Sequence, residues 1–132
     1  MIKMSEKKAK EIKILRGQIH MVDFGNVDEY SGSLQRGKRP AIIITNDTGC
    51  RFSPIISVIP LTTQKTKRNL PTHCHIKKDE TNRLLKDSIA LTEQVVTVNR
   101  FQIGERTGKL SPTDMQRVAN CLGVSVGLSL AG

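Results

Sequence analysis

From Gly17 onward the chain advances in short apolar runs, each cut off by a cluster of Gly, Pro, Ser, Asn or Asp. That beat is the signature of a small all-β or α+β domain. The apolar residues reinforce it. Only Phe24, Tyr30, Phe52 and Phe101 are aromatic and Trp is absent, so the hydrophobic content of 37% rests mainly on Ile, Leu and Val. β-Branched side chains pack well on a pleated surface. With 132 residues, one domain is expected.

The runs predict strands at Ile19 to Phe24, at AIIIT behind Pro40, at Ile55 to Ile59 with Pro60 as its stop, and at Thr72 to Ile76. Ser88 to Val98 reads as the longest extended stretch, although Thr92, Glu93 and Gln94 interrupt its apolar residues and require solvent or a ligand. AIIIT is a continuous β-branched run, as expected of a strand covered on both faces. NDTGCRFSP reads as a polar turn in which Gly49 is free to take positive φ. Gly25 to Gly37 has no periodicity and reads as a mobile, candidate functional loop. Near the C-terminus, Ser111 is a helix cap, Pro112 suits the first helical position and Asp114 suits the positive end of the dipole. Met115, Val118, Ala119 and Leu122 then form one buried face, and Gly123 ends the helix.

Charge narrows the partner. Lys and Arg number 21 against 12 Asp and Glu, a formal +9 that points to a polyanion such as nucleic acid. Three scattered cysteines, Cys50, Cys74 and Cys121, argue for a reducing compartment and against a disulfide framework. The aliphatic runs fall far short of the roughly 18 residues that span a bilayer. MIKMSEKKAKEIKILR interleaves Lys with apolar residues and does not follow them with an apolar block, so it reads as a frayed or helical lead-in with Ile12 and Leu15 on one side.

Chemistry-bearing residues are few. His73 and His75 share one face of a strand and Cys74 takes the other, but further ligands of recognisable spacing are missing, so no metal site is expected. No glycine-rich phosphate loop and no dense carboxylate cluster can be read either. A basic protein acting on nucleic acid without an evident metal points toward RNA, because RNA brings its own nucleophile, the 2′-hydroxyl. Arg39, between a glycine-containing loop and the Pro40 strand, is placed to present a fixed guanidinium to a phosphate.

The segments RGQIHMVDF, GKRPAIIITND, GCRFSPIISVIPLTT, LPTHCHI and KDSIALTEQVVTV, followed by the terminal helix, resemble in order and spacing the MazF/PemK/Kid family of toxin ribonucleases, from about Arg16 to Leu128. The resemblance implies a mainly β fold (α+β), a small SH3-like, partly open β-barrel with a C-terminal helix. Residues 1–15 would be a basic extension and 16–132 the single toxin domain. It further implies a cytoplasmic homodimer, a single-stranded RNA substrate, an antitoxin that blocks the RNA groove, and cleavage that needs no cofactor and leaves a 2′,3′-cyclic phosphate and a 5′-hydroxyl. By position the family's catalytic Arg falls on Arg39 and its catalytic Thr on Thr62, with Arg36, Lys38, Thr63, Lys65 and Gln94 as candidate RNA contacts. A guanidinium, with a pKa above roughly 12, would stabilise the phosphorane and could protonate the leaving 5′ oxygen; Glu93, His20 and water are the candidates for the base that takes the 2′ proton. Leu34, Arg36 and Val96 depart from the family pattern, so a distinct cleavage motif is expected. Two other functions fit the same scaffold: a toxin that poisons DNA gyrase, and an RNA-binding barrel without chemistry.

Overall fold

The computed structural model describes residues 13–64 and 69–128. Its seven strands are β1 (Gln18–Asp23), β2 (Lys38–Ile43), β3 (Ile55–Thr62), β4 (His73–Ile76), β5 (Ser88–Leu91), β6 (Val96–Asn99) and β7 (Ile103–Lys109). They form an open antiparallel sheet in the order β4-β5-β3-β2-β1-β7, with β6 also paired to β3. Among the described residues two α-helices accompany it, a short α1 (Asp47–Phe52) and the C-terminal α2 (Pro112–Ser125).

Alternation along β2 and β3 splits the core in two, as a period of two requires. Ala41, Ile43, Ile56 and Val58 join Val22, Phe24 and Ile103 in one apolar cluster. Ile42, Ile44, Ile59 and Leu61 join Ile19, Cys74, Ile76 and Val118 in the other, with Met115, Cys121 and Leu122 of α2 packed against it. The central run is thus covered on both faces, as its composition predicts. Ile14 is also buried in the first cluster. Among the described residues no helix is long and apolar enough to cross a membrane.

Four local expectations are corrected. The expected turn at NDTGCRFSP contains α1 instead. The Asn46 side chain accepts a hydrogen bond from the Gly49 amide at 2.8 Å, capping the helix, and Cys50 is drawn into the core. Gly49 is accordingly helical and has no positive φ. Pro60 does not stop β3; it lies opposite Ala41, between the last β6 partner of the strand at Val58 and its first β5 partner at Leu61. A residue without an N–H is tolerated in that gap in the ladder. The stretch from Ser88 to Val98 is broken by a 3₁₀ turn at Thr92–Gln94, which carries the chain from one section of β3 to another. Finally, Gly123 lies inside α2, and the helix stops at Gly127, whose φ is +77°. The amides of Gly127 and Leu128 donate to the carbonyls of Val124 and Gly123 at 3.1 and 2.7 Å, a Schellman closure. The start of α2 is as predicted: the Ser111 hydroxyl oxygen accepts from the Asp114 amide at 3.1 Å.

The three cysteines are free. Burial pushes the Cys74 thiol up to about 12, helped by neighbouring Cys121, and burial followed by Asp47 raises Cys50. Both therefore stay protonated and inert at neutral pH. An alkylating reagent at pH 8 is expected to leave Cys50 and Cys74 unmodified in the folded protein and to modify all three cysteines in denaturant, as read by peptide mass mapping. Rapid native labelling of Cys74 would contradict this packing.

Candidate active site

The register of the central strand pair sets the site. Ile43, Ile42 and Ala41 of β2 lie opposite Val58, Ile59 and Pro60 of β3. The ladder between the two strands ends there; two residues further along each strand stand Arg39 and Thr62, and both line one groove of about 870 Å³. Because side chains alternate, they continue the row of Ala41, Ile43 and Val58 beyond the edge of the apolar core. A slip of one residue would carry both to the opposite face.

The loop between β1 and β2 closes over this pair. Its neck is tied by the Phe24 amide donating to the Gly37 carbonyl at 2.9 Å and the Gly37 amide to the Gly25 carbonyl at 2.6 Å. Inside it, the Ser31 hydroxyl oxygen accepts from the Asp28 amide at 2.9 Å and from Arg36 Nε at 3.3 Å. Arg39 is held from behind by the same loop. Its Nε donates to the Arg36 carbonyl at 2.9 Å, and its Nη1 donates to Gln35 Oε1. Nη2 has no protein partner among the described residues, which leaves a positioned cationic donor. Thr62, only 8% exposed, accepts from the Gln64 amide at 3.2 Å through its hydroxyl oxygen, so its O–H is available to donate.

The opposite wall is built by the 3₁₀ turn. Thr92 is fully buried, and its hydroxyl donates to the Thr72 carbonyl at 2.5 Å. Its two neighbours then point in fixed directions. Glu93 Oε1 lies 2.9 Å from Nε2 of His73, and both residues line the groove. Gln94 accepts from the Gln35 amide at 2.9 Å and donates to the Ser33 carbonyl at 3.2 Å, clamping the loop that holds Arg39. The three polar residues that interrupt the apolar pattern find their partners within the protein, not in solvent.

The groove therefore gathers Arg36, Lys38, Arg39, Thr62, Thr63 and Gln94 from the expected set, together with Glu93 and Leu34. Lys65, Lys67, Arg68 and Ile12 lie outside the described residues. Gln94 bonds the loop backbone through both ends of its amide. His20 is not at the site. It is fully buried in β1, with its ring nitrogens 3.0 Å from the Gly104 carbonyl oxygen and 2.8 Å from Gln18 Oε1, and burial holds it below its usual range. Val96 is exposed on β6, paired with Val58, and does not line the groove. Sequence reasoning missed Gln35 and the pairing of His73 with Glu93, which are far apart in the chain. Among the described residues, no group of three or more His, Cys, Asp or Glu is placed to hold a metal ion.

Fold and groove together define a small, basic protein with an open antiparallel sheet whose strand ends gather cationic and hydroxyl donors in one groove. A family model of PemK-like, MazF-like toxins of type II toxin–antitoxin systems matches residues 15–126, and the chain belongs to that family. Solved structures share the fold. A mycobacterial endoribonuclease in complex with its cognate antitoxin superposes with a TM-score of 0.69 at 23% identity, over 89% of this chain and 98% of that one. MazF from Deinococcus radiodurans gives 0.72 at 15% identity, over 89% and 99%. A MazF toxin of Mycobacterium tuberculosis gives 0.67 at 22% identity, over 86% and 99%.

Proposed function

We propose that the chain is a toxin endoribonuclease that cleaves single-stranded RNA by internal transesterification, without a metal ion. The observation that carries this reading is that Arg39 and Thr62 line one groove where β2 and β3 part, with the guanidinium anchored on two nitrogens and a third free of protein partners among the described residues. Such a constellation matches a phosphodiester whose charge grows as it becomes a pentavalent phosphorane. A donor fixed in advance stabilises that charge without reorganising. Thr62 donates to a second phosphoryl oxygen. Glu93, the carboxylate on the facing wall, takes the proton of the 2′-hydroxyl. The 2′ oxygen then bonds to phosphorus, the P–O5′ bond breaks, and the 5′ oxygen takes up a proton through solvent. The products are a 2′,3′-cyclic phosphate and a 5′-hydroxyl.

Arg36 and Lys38 supply attraction along the groove, and an excess of nine positive charges over the chain supports a polyanionic substrate. Membership of a type II toxin family supports a cytoplasmic setting, a homodimer and an antitoxin whose acidic segment competes for the same groove. The test is incubation of a long mixed RNA with the protein in excess EDTA, with the ends mapped by their chemistry. Cyclic phosphate and 5′-hydroxyl ends are expected. Binding without cleavage would remove the enzymatic reading, and cleavage abolished by EDTA would remove the metal-free mechanism.

Thr62→Val keeps the side chain's shape and deletes the hydroxyl. The loss of one transition-state hydrogen bond is expected to lower kcat about tenfold with little change in KM. An unchanged kcat would assign Thr62 to the architecture of the strand end alone.

A further inference from the structure

We infer that His73 is a positioning residue for Glu93, orienting its carboxylate toward the 2′-hydroxyl of the RNA. The inference rests on the nuclease reading above and deepens it. Two buried elements fix the pair. His73 opens β4 and lies opposite Leu91, the last residue of β5, while Thr92 begins the 3₁₀ turn and is tied to Thr72 through both its amide, at 3.2 Å, and its hydroxyl, at 2.5 Å. With Thr72 and Thr92 locked together, their successors His73 and Glu93 meet, Nε2 to Oε1 at 2.9 Å.

The division of labour follows from exposure. The His73 side chain is 5% exposed and that of Glu93 34%, so the carboxylate is the member that substrate can reach. An ionised carboxylate only accepts, so Nε2 carries the hydrogen and donates it. Nδ1 is buried without a hydrogen-bond partner among the described residues. In the Nε2–H tautomer that nitrogen is a bare lone pair. His73 meets Glu93 through Nε2. It occupies one oxygen of Glu93, stops the carboxylate from rotating, and leaves Oε2 to take the 2′ proton. Among the described residues, the other charged side chains that line the groove with Glu93 and His73 are Arg36, Lys38 and Arg39.

Two substitutions that delete the donor, His73→Phe and His73→Leu, differ in shape, while His73→Gln restores an N–H at a similar reach. Each is compared with the wild type for kcat and KM on cleavable RNA and for Kd on the same RNA carrying 2′-deoxyribose throughout. Phe and Leu are expected to lower kcat by about 10²-fold, the penalty for a misplaced reacting group, with KM and Kd within about twofold. Gln should recover most of the rate. Combined with Glu93→Gln, which alone should cost about 10²–10⁴-fold, His73→Phe should add almost nothing, because it acts through Glu93. Rates within twofold of wild type for Phe and Leu, or a multiplying loss in the double variant, would overturn the inference while leaving the nuclease reading intact. A rise in Kd that matches the fall in rate would do the same, since it assigns His73 to binding or folding. Wild-type protein that cuts no RNA would overturn both.

Discussion

Arg39→Ala is expected to lower the rate of RNA cleavage by about 10²–10³-fold, the usual cost of removing one preorganised oxyanion donor. The fold should survive it. Arg39 is half-buried at the start of β2 and its side-chain bonds run to the loop, to Gln35 and the Arg36 carbonyl, whereas the core begins at Ala41. The melting temperature should therefore move by less than about 5 °C, the shift that ~1 kcal/mol produces in a chain of this size. Arg39→Lys should recover little. An ammonium has no planar fork with which to bond the loop on two nitrogens and aim a third at the phosphate. Cleavage by Arg39→Ala within tenfold of wild type, in a protein of unchanged stability, would contradict the assigned role.

The largest loss of stability is expected from Gly108→Ala. Gly108 lies on β7 opposite Ile19, and a Cβ built there would come 2.1 Å from the carbonyl oxygen of Asn82. The obstacle is backbone and cannot swing aside. Asn82, 1% exposed, anchors its turn by accepting from the amides of Asp79 and Leu84, both at 3.0 Å, and by donating from its side chain to the Lys77 carbonyl at 2.9 Å. Its own amide donates to Asp79 Oδ1 at 2.7 Å. Relief of the overlap would have to separate this turn from β7. The cost should reach the upper end of the 1–3 kcal/mol of an overpacked interior, a fall in melting temperature of about 10 °C or more. Thermal unfolding of the single variant reads it directly, and a fall under about 3 °C would show that the turn yields.

The sheet was legible because its signals are local. β-Branched runs between turn residues mark β1 and β4 to within a residue and β2 to within three, and the Ser-Pro-Thr-Asp start marks α2. Local reading failed where a long-range partner decides. Pro60 looks like a terminator until β3 is seen to exchange β6 for β5 on that edge. Asn46 looks like a turn residue until Cys50 finds a place in the core. Gly123 looks like a stop, but α2 continues to Ser125 and is closed at Gly127.

The site divides along the same line. Arg39 and Thr62 were reached through motif resemblance, and the structure brings both to one groove where β2 and β3 part. Thr92, Glu93 and Gln94 were marked as polar residues in need of a partner, but no pattern in the chain says that the partners are Thr72, His73 and the loop at Ser33 and Gln35. Those pairings depend on how β4 lies beside β5 and how the β1–β2 loop folds back, and both are set by the whole sheet.

The central claim is that the nucleophile is the substrate's own 2′-hydroxyl, activated in the groove that holds Arg39, Thr62 and Glu93. Once the cut positions in a long RNA are mapped, two oligonucleotides spanning one cut are compared, all-ribose and with a single 2′-deoxyribose on the 5′ side of the scissile phosphate. The all-ribose strand is expected to be cleaved in EDTA to a 2′,3′-cyclic phosphate, and the singly substituted strand to bind with a Kd within about twofold yet remain uncut. Cleavage of the substituted strand at the same phosphate would contradict the claim.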